Sequence, residues 1–371
     1  MKVGIPSEVK NNEFRVAITP AGVHELVRHG HEVYVQQGAG LGSSITDAEY
    51  VAAGGAILPT ADEVWAIADL LLKVKEPIEE EYHRLRKDQT LFTYLHLAAS
   101  RPCTDALIAS GTTAIAYETV ETADRRLPLL APMSEVAGRL APQVGAYHLM
   151  RAAGGRGVLP GGVPGVAAGK AVVIGGGVSG WNATQIAVGM GFHVTLLDRD
   201  ISKLKEADKV FGTKVQTVVS NSFELERACL EADLVIGAVL IPGAKAPKLV
   251  TNELVSRMKP GSVLVDIAID QGGCFEDSHP TTHAEPTFQV HNSVFYCVAN
   301  MPGAVPNTST HALTNATLPY ILELADRGWA EALRRDAALA KGLNTHDGKV
   351  VYREVAEAHG LEHTELSALL G

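Results

Sequence analysis

The chain reads as an α/β protein made of two open, doubly wound domains. Short apolar, β-branched runs alternate with helical patterns through most of its length. One stretch, 170–198, joins a strand, a glycine-rich turn, a helix and a second strand closed by Asp198. With 371 residues, 46% of them hydrophobic and 20% charged, the chain can build two sizeable cores.

The first domain opens with a strand at 3–5 and a polar loop at 7–15. Thr19 is the N-cap of the next helix, with Pro20 at its first position, Val23, Leu26 and Val27 as its apolar stripe and Gly30 at its end. Strands follow at 31–36, 69–74, 91–95 and 113–117. Lys75, His96 and Glu118 stand just past the last three, where open α/β sheets bind ligands. Residues 134–150 read as a connecting helix capped by Ser134 and kinked by Pro142, and 151–169 as a Gly- and Pro-rich loop.

The second domain starts at the buried strand 171–174, which runs into Gly175-Gly176-Gly177-Val178-Ser179-Gly180, a G-x-G-x-x-G turn. Gly175 permits the tight turn, Gly177 lets backbone approach a pyrophosphate, and Gly180 lets helix and strand pack closely. Val178 belongs to this turn, and the N-terminus of the helix that follows offers free N–H groups to the phosphates. After the strand 193–197, Asp198 can accept hydrogen bonds from both ribose hydroxyls and would repel a 2′-phosphate, which favours NAD. Arg199 and Lys203 could neutralise such a phosphate, so NADP is the alternative. The pattern continues with a helix from Asp200 to Phe211, a strand at 215–219, a helix capped by Asn221 or Ser222, and a strand at 234–238. A helix at 251–258 and strands at 263–267 and 294–298 complete a Rossmann-type dinucleotide domain. From about Pro306 the tail turns mostly helical, with a kink at Pro319, and is expected to pack back on the first domain.

A formal net charge of −10 argues against nucleic acid and anionic membranes as partners. No apolar run approaches the ~20 residues that span a bilayer. The start MKVGIPSEVK lacks a signal-peptide core, and Cys103, Cys229, Cys274 and Cys297 show no C-x-x-C spacing. The expected compartment is the cytoplasm.

A dinucleotide site implies redox chemistry without naming the substrate. Arg15 has the planar fork that grips a carboxylate, although its position alone favours a solvated surface arginine. Lys73 and Lys75 share one face of LLLKVK, so alternation cannot choose between them. His96 ends the apolar run LFTYLH, and an ordinary imidazole pKa of about 6.5 suits proton transfer near neutrality. Asp270, in DIAIDQGG, either reaches the nicotinamide end of the cofactor or caps the following turn. His279 and His283 have i, i+4 spacing, but SHPTTHAEP is no helix and the pair is not read as a metal site.

VGIPSEVKNNEFRVAITPAGV, LLLKVKEP, LFTYLHLAA, MSEVAGRLAPQVGA, DIAIDQGGCFE and YCVANMPGAVP together resemble the alanine dehydrogenase and transhydrogenase family over essentially the whole chain. The resemblance implies an NAD-dependent, reversible reaction in which L-alanine, NAD and water give pyruvate, ammonium and NADH. It implies a substrate domain of 1–128 plus 307–371, an NAD-binding domain of 129–306, and a homohexamer. It places Arg15 and Lys75 on the substrate carboxylate and carbonyl, and makes His96 and Asp270 the catalytic pair. It matches Ser134, Asp198, Lys203, Ser220, Val239, Leu240, Ile267, Ala268, Ile269, Asp270, Val298, Ala299, Asn300 and Met301 to cofactor contacts. Substrate and cofactor groups come from different domains, so domain closure is expected to assemble the site. Two rivals are a transhydrogenase subunit with a membrane partner and an NAD-sensing module without turnover. Three positions depart from the family pattern: Gly176 stands for alanine, His279 for an arginine near the cofactor, and Arg327 for a histidine that joins Glu323 on magnesium in some relatives.

Overall fold

The structure is a computed structural model and describes residues 1–239 and 246–370. The chain divides into two compact units, 1–133 with 305–371 and 134–304. In chain order the strands are β1 (Lys2–Ile5), β2 (Glu32–Gln36), β3 (Ala56–Leu58), β4 (Leu70–Leu72), β5 (Thr90–Thr93) and β6 (Thr113–Ala116). Next come β7 (Lys170–Ile174), β8 (His193–Asp198), β9 (Val215–Val219), β10 (Leu234–Gly237), β11 (Val263–Asp266), β12 (Thr287–Val290) and β13 (Ser293–Tyr296). The chain ends with β14 (Leu343–His346) and β15 (Lys349–Val350).

The first unit holds an eight-stranded sheet in the order β15-β14-β6-β5-β4-β1-β2-β3. Strands β1 to β6 are parallel, and β1 lies between β2 and β4, so the strand order reverses there. All three leucines of β4 are buried, as a parallel strand covered on both faces requires. The tail does return to this unit and is mostly helical as expected, but it also contributes strands. After the helices Pro306–Arg327 and Trp329–Arg335 it forms the β14–β15 hairpin, which adds antiparallel to β6. Its turn is Asp347-Gly348, both with positive φ (47° and 77°), the pairing that a two-residue hairpin favours.

The second unit holds a seven-stranded sheet in the order β12-β13-β11-β10-β7-β8-β9. Alternate residues feed two cores: Ala171 and Val173 pack with Leu234, Ile236 and Val265, whereas Val172 and Ile174 pack with Val235, Leu264 and Phe275. Both faces are therefore covered, which explains the continuous apolar runs. Strand β12 was not expected. It pairs antiparallel with β13 across His291-Asn292, a tight turn that lacks the glycine by which hairpins are recognised.

The connecting helix spans Ala131–His148, so Ser134 lies inside it and is not its cap. Pro132 sits in the first turn, where no N–H is required, and starts the helix earlier than the serine does. The helix continues through Pro142. A Cβ at Gly138 would stand 2.2 Å from the Ser179 carbonyl, and one at Gly145 would stand 2.5 Å from Leu234, so two glycines allow this helix to lie close on its neighbours. No helix among the described residues is long and apolar enough to cross a membrane.

Candidate active site

In the second unit, the ends of six parallel strands line one edge of the sheet. The register aligns Ile174 with Leu197 and Gly237, Asp198 with Val219, and Gly237 with Asp266. Asp198 is the last residue of β8, and the glycine turn, Ser220, Val239 and the 267–270 loop follow the neighbouring ends. Strand β7 lies between β8 and β10, which makes this edge a switch point of the kind at which open sheets bind ligands. Gly175 has φ +100°, and a Cβ there would stand 2.8 Å from the Ala238 carbonyl. A Cβ at Gly180 would stand 1.7 Å from the Gly175 carbonyl, so only glycine fits. Gly177 is the opposite case, with nothing within 4 Å of the added atom. It is also the N-cap of the helix Val178–Gly189, so open space lies in front of a helix N-terminus. A tight turn, an open approach and a dipole end together fit a pyrophosphate.

Asp198 is nearly buried and its carboxylate is held by backbone. Oδ2 accepts from Gly176 N at 2.6 Å, Oδ1 accepts from Asp200 N at 2.8 Å, and Lys203 Nζ lies 3.5 Å from Oδ2. A Cβ at Gly176 would be 3.2 Å from Oδ2, so the glycine at this position lets the carboxylate approach the turn closely. Ser220 N donates to the Asp198 carbonyl at 2.9 Å and places Ser220 beside the acid. Val239 and Ile267 are half-buried, Ala268 and Ile269 are buried, and Asp270 is exposed on the turn Ile269–Gln271. Val298 and Met301 are buried, while Ala299 and Asn300 (φ 64°) are half-buried at the end of the β13 segment. Ser134 is half-buried within the connecting helix. Leu240 lies outside the described residues. His279 packs against Phe288 with ring centroids 3.7 Å apart, and His283 Nε2 lies 3.1 Å from the Asn300 carbonyl.

In the first unit, the ends of β1, β4 and β5 are adjacent, and the candidate substrate residues follow them. Arg15 is not a solvated surface arginine. It is 2% exposed, its Nε and Nη2 donate to the two Glu13 carboxylate oxygens at 2.7 and 2.6 Å, and Nη1 lies 3.0 Å from the Met133 sulfur. Burial works against its charge, yet the Glu13 pair raises its pKa further. Position along the chain could not reveal this, because Glu13 is two residues away and the burial comes from the fold.

Strand alternation left Lys73 and Lys75 equivalent, and the structure separates them. Lys73 is 0% exposed, and its Nζ is shared between Glu8 Oε2 at 3.1 Å and Glu81 Oε1 at 2.9 Å. Burial opposes its charge, but the two carboxylates outweigh that and raise its pKa. Lys75 is half-buried just past this triad. Its N–H and that of Val74 donate to Glu8 at 3.4 and 2.6 Å, so Glu8 fixes the backbone from which Lys75 projects.

His96 has left-handed backbone (φ 49°, ψ 37°), uncommon for a residue with a Cβ. Glu118 holds it there, accepting from Leu95 N at 3.2 Å and from His96 N at 2.6 Å. The imidazole stacks parallel to Tyr94, with centroids 5.9 Å apart, and its Nδ1 lies 3.9 Å from Glu118. Tyr94 donates to the Leu129 carbonyl at 2.6 Å. Glu8, Glu13 and Tyr94 escaped sequence reasoning, and Glu118 was seen only as a polar strand end. The one available signal was Lys73 itself, because a lysine inside an apolar parallel strand needs a buried acid.

Among the described residues, no group of three or more His, Cys, Asp or Glu side chains could hold a metal ion. Arg327 Nε donates to Glu323 Oε2 at 2.6 Å, so the carboxylate linked to magnesium by resemblance already has a cation partner. These two residues do not fit a metal, since a guanidinium cannot ligate one.

The family model "Alanine dehydrogenase/PNT, N-terminal domain" matches residues 4–137, and "Alanine dehydrogenase/PNT, C-terminal domain" matches 141–353. The chain belongs to the alanine dehydrogenase/PNT family. It is 68% identical to an alanine dehydrogenase from Mycolicibacterium smegmatis, over 100% of both chains. It is also similar to a solved L-alanine dehydrogenase (TM-score 0.95, 51% identity, 97% of this chain and 99% of that one). A transhydrogenase from Sinorhizobium meliloti is more distant (TM-score 0.83, 27% identity, 95% of this chain and 100% of that one).

Proposed function

We propose that the protein is an NAD-dependent L-alanine dehydrogenase, interconverting alanine, NAD and water with pyruvate, ammonium and NADH. The observation that carries the reading is the presence of Arg15, Lys75, His96 and Asp270 at strand ends, in a chain similar over its full length to proteins called alanine dehydrogenase. The first unit holds the substrate and the second holds the dinucleotide, through the Gly175–Gly180 turn, with Asp198 on the ribose.

Bound NAD supplies the acceptor for the hydride that leaves the alanine Cα. Arg15, its guanidinium oriented by Glu13, anchors the substrate carboxylate and sets which face of Cα is presented. Loss of hydride leaves an iminium, and water must add to its carbon. His96 takes a proton from that water, then returns one to nitrogen as ammonia departs. Lys75 donates a hydrogen bond to the oxygen that becomes the carbonyl. Asp270 supplies negative charge against the cationic intermediate. The protein acts on small molecules, and the homohexamer implied by resemblance and the cytoplasmic placement expected from the sequence complete the proposal.

The test follows absorbance of reduced nicotinamide with L-alanine and NAD, with NADP replacing NAD in a parallel assay. An alanine-dependent rise with NAD alone is expected. No alanine signal, in a protein that still binds NADH by fluorescence, would favour the sensing or transhydrogenase-like reading.

A further inference from the structure

The loop after β11 carries Asp270, and no strand ladder holds it. Between Asp266 and Cys274 it contains one short turn, Ile269–Gln271, and two positive-φ glycines, Gly272 (89°) and Gly273 (77°). Asp270 is exposed on that turn. An exposed group on such a loop needs some other restraint to hold a fixed position.

Ala246 N donates to the Gln271 carbonyl at 3.0 Å, and Asp266, the last residue of β11, restrains both limbs. It is 0% exposed, and its carboxylate accepts four hydrogen bonds. Oδ1 takes Ala268 N at 3.1 Å, before Asp270 in the chain. Oδ2 takes Cys274 N at 2.8 Å, Phe275 N at 3.3 Å and Ser278 Oγ at 2.6 Å, all after it. One buried carboxylate thus ties together both limbs of the loop. All four partners donate, so they match an ionised acid. Burial pushes the carboxyl above the usual range, and these donors oppose the shift. A Cβ at Gly273 would stand 2.6 Å from Oδ2, so the chain passes the acid as closely as glycine permits. On the outer side, Lys248 Nζ donates to the Gly272 and Phe275 carbonyls at 2.5 and 2.8 Å.

We propose that Asp266 is a positioning residue whose buried carboxylate fixes the loop that presents Asp270, and that it governs turnover through Asp270. The proposal rests on the reading of Asp270 as a catalytic group. It differs from a purely structural role, in which a strand-end carboxylate satisfies buried N–H groups and turnover changes only with stability.

A double-mutant cycle on the full chain separates the two. Asp266→Asn keeps the size but turns an amide N–H₂ toward donors, and Ser278→Ala removes one of the four bonds to Asp266 together with the acceptor of the Cys297 thiol. Each is made alone and in an Asp270→Asn background, with kcat, KM for alanine, NADH affinity by fluorescence and Tm measured. Asp266→Asn is expected to lower kcat about 10- to 100-fold, the scale of a misplaced catalytic group, with KM and NADH affinity within about twofold. Ser278→Ala is expected to lower kcat about threefold. In the Asp270→Asn background the same changes are expected to alter the residual kcat less than about twofold, because the group they position is gone. An equal fold-loss in both backgrounds, or an unchanged kcat in a folded Asp266→Asn enzyme, overturns the proposal. If Asp266→Asn does not fold, the Ser278→Ala arm decides by the same criterion. Full activity in Asp270→Asn alone overturns the reading of Asp270 itself, and that single variant distinguishes this failure from a failure of Asp266.

Discussion

The dinucleotide turn of the second unit and the strand-end cluster of the first are built from different material. The turn is backbone: Gly175 and Gly180 lie where a side chain would collide with a carbonyl, and Gly177 lies where one would collide with nothing. The cluster is charge: Arg15 on Glu13, and Lys73 between Glu8 and Glu81, all withdrawn from water. A backbone site is fixed by local geometry, so the residue types it needs fall close together in sequence. A buried-charge site is assembled across the sheet, and the partners of Lys73 lie 65 and 8 residues away. The two units should therefore fail in different ways. The second should fail when an atom is added, and the first when a charge is removed.

The largest expected effect is at His96. His96→Ala should lower kcat by roughly 10²- to 10⁴-fold, the usual worth of a positioned acid–base group, and leave NADH binding unchanged. Loss of NADH binding as well, measured by fluorescence titration, would make the residue a structural part of its strand end.

Gly180→Ala and Gly177→Ala test the backbone site as a pair. The first forces a Cβ to within 1.7 Å of the Gly175 carbonyl, so the expected result is a large fall in Tm with loss of NADH binding. The second meets open space, so Tm should hold while NADH affinity falls, because the new methyl occupies the approach to the phosphates. Equal Tm in the two variants would mean that helix and strand move apart easily, and that close packing at Gly180 is not what the glycine provides.

Lys73→Met and Lys75→Met test the charge site. Removing Lys73 strands Glu8 and Glu81 as buried carboxylates, at a cost of about 3–5 kcal/mol in unfolding free energy. Removing Lys75, half-buried and outside the triad, should leave Tm nearly unchanged and lower kcat/KM for alanine. A destabilised Lys75→Met with normal kcat/KM would reverse the two assignments.

The same contrast explains what could be read in advance. The α/β class, the glycine turn, Asp198 and the strands β7 to β11 follow from apolar periodicity and glycine spacing, which are local. Strands β3, β12, β14 and β15 were missed because a short strand at or next to the edge of a sheet leaves little periodic signal. Asp347-Gly348 did advertise its turn, but helical patterns on either side outweighed it. Ser134 misled because a good capping residue also fits within a helix when Pro132 has already begun one. In the first unit, alternation could not separate Lys73 from Lys75, and position made Arg15 look solvated. Both questions turn on burial, which is a property of the packed sheet and not of the neighbouring residues.

Asp198 belongs to both kinds of site, which makes it the finest test of the contrast. Its carboxylate is a charge that would repel a 2′-phosphate, and it is also the acceptor that holds Gly176 N and Asp200 N. Asp198→Ala removes both functions, so lower NADH affinity and a lower Tm are expected together. Asp198→Asn removes the charge and retains one carbonyl acceptor, so most of the stability should remain. If charge excludes NADP, Asp198→Asn should raise NADP use by about tenfold, roughly 1.4 kcal/mol, with Lys203 and Arg199 free to meet the added phosphate. Should Asp198→Asn still reject NADP while Asp198→Ala accepts it, exclusion is steric and comes from the side chain clamped to Gly176. The acid would then act as part of the backbone site, with its charge incidental to selectivity.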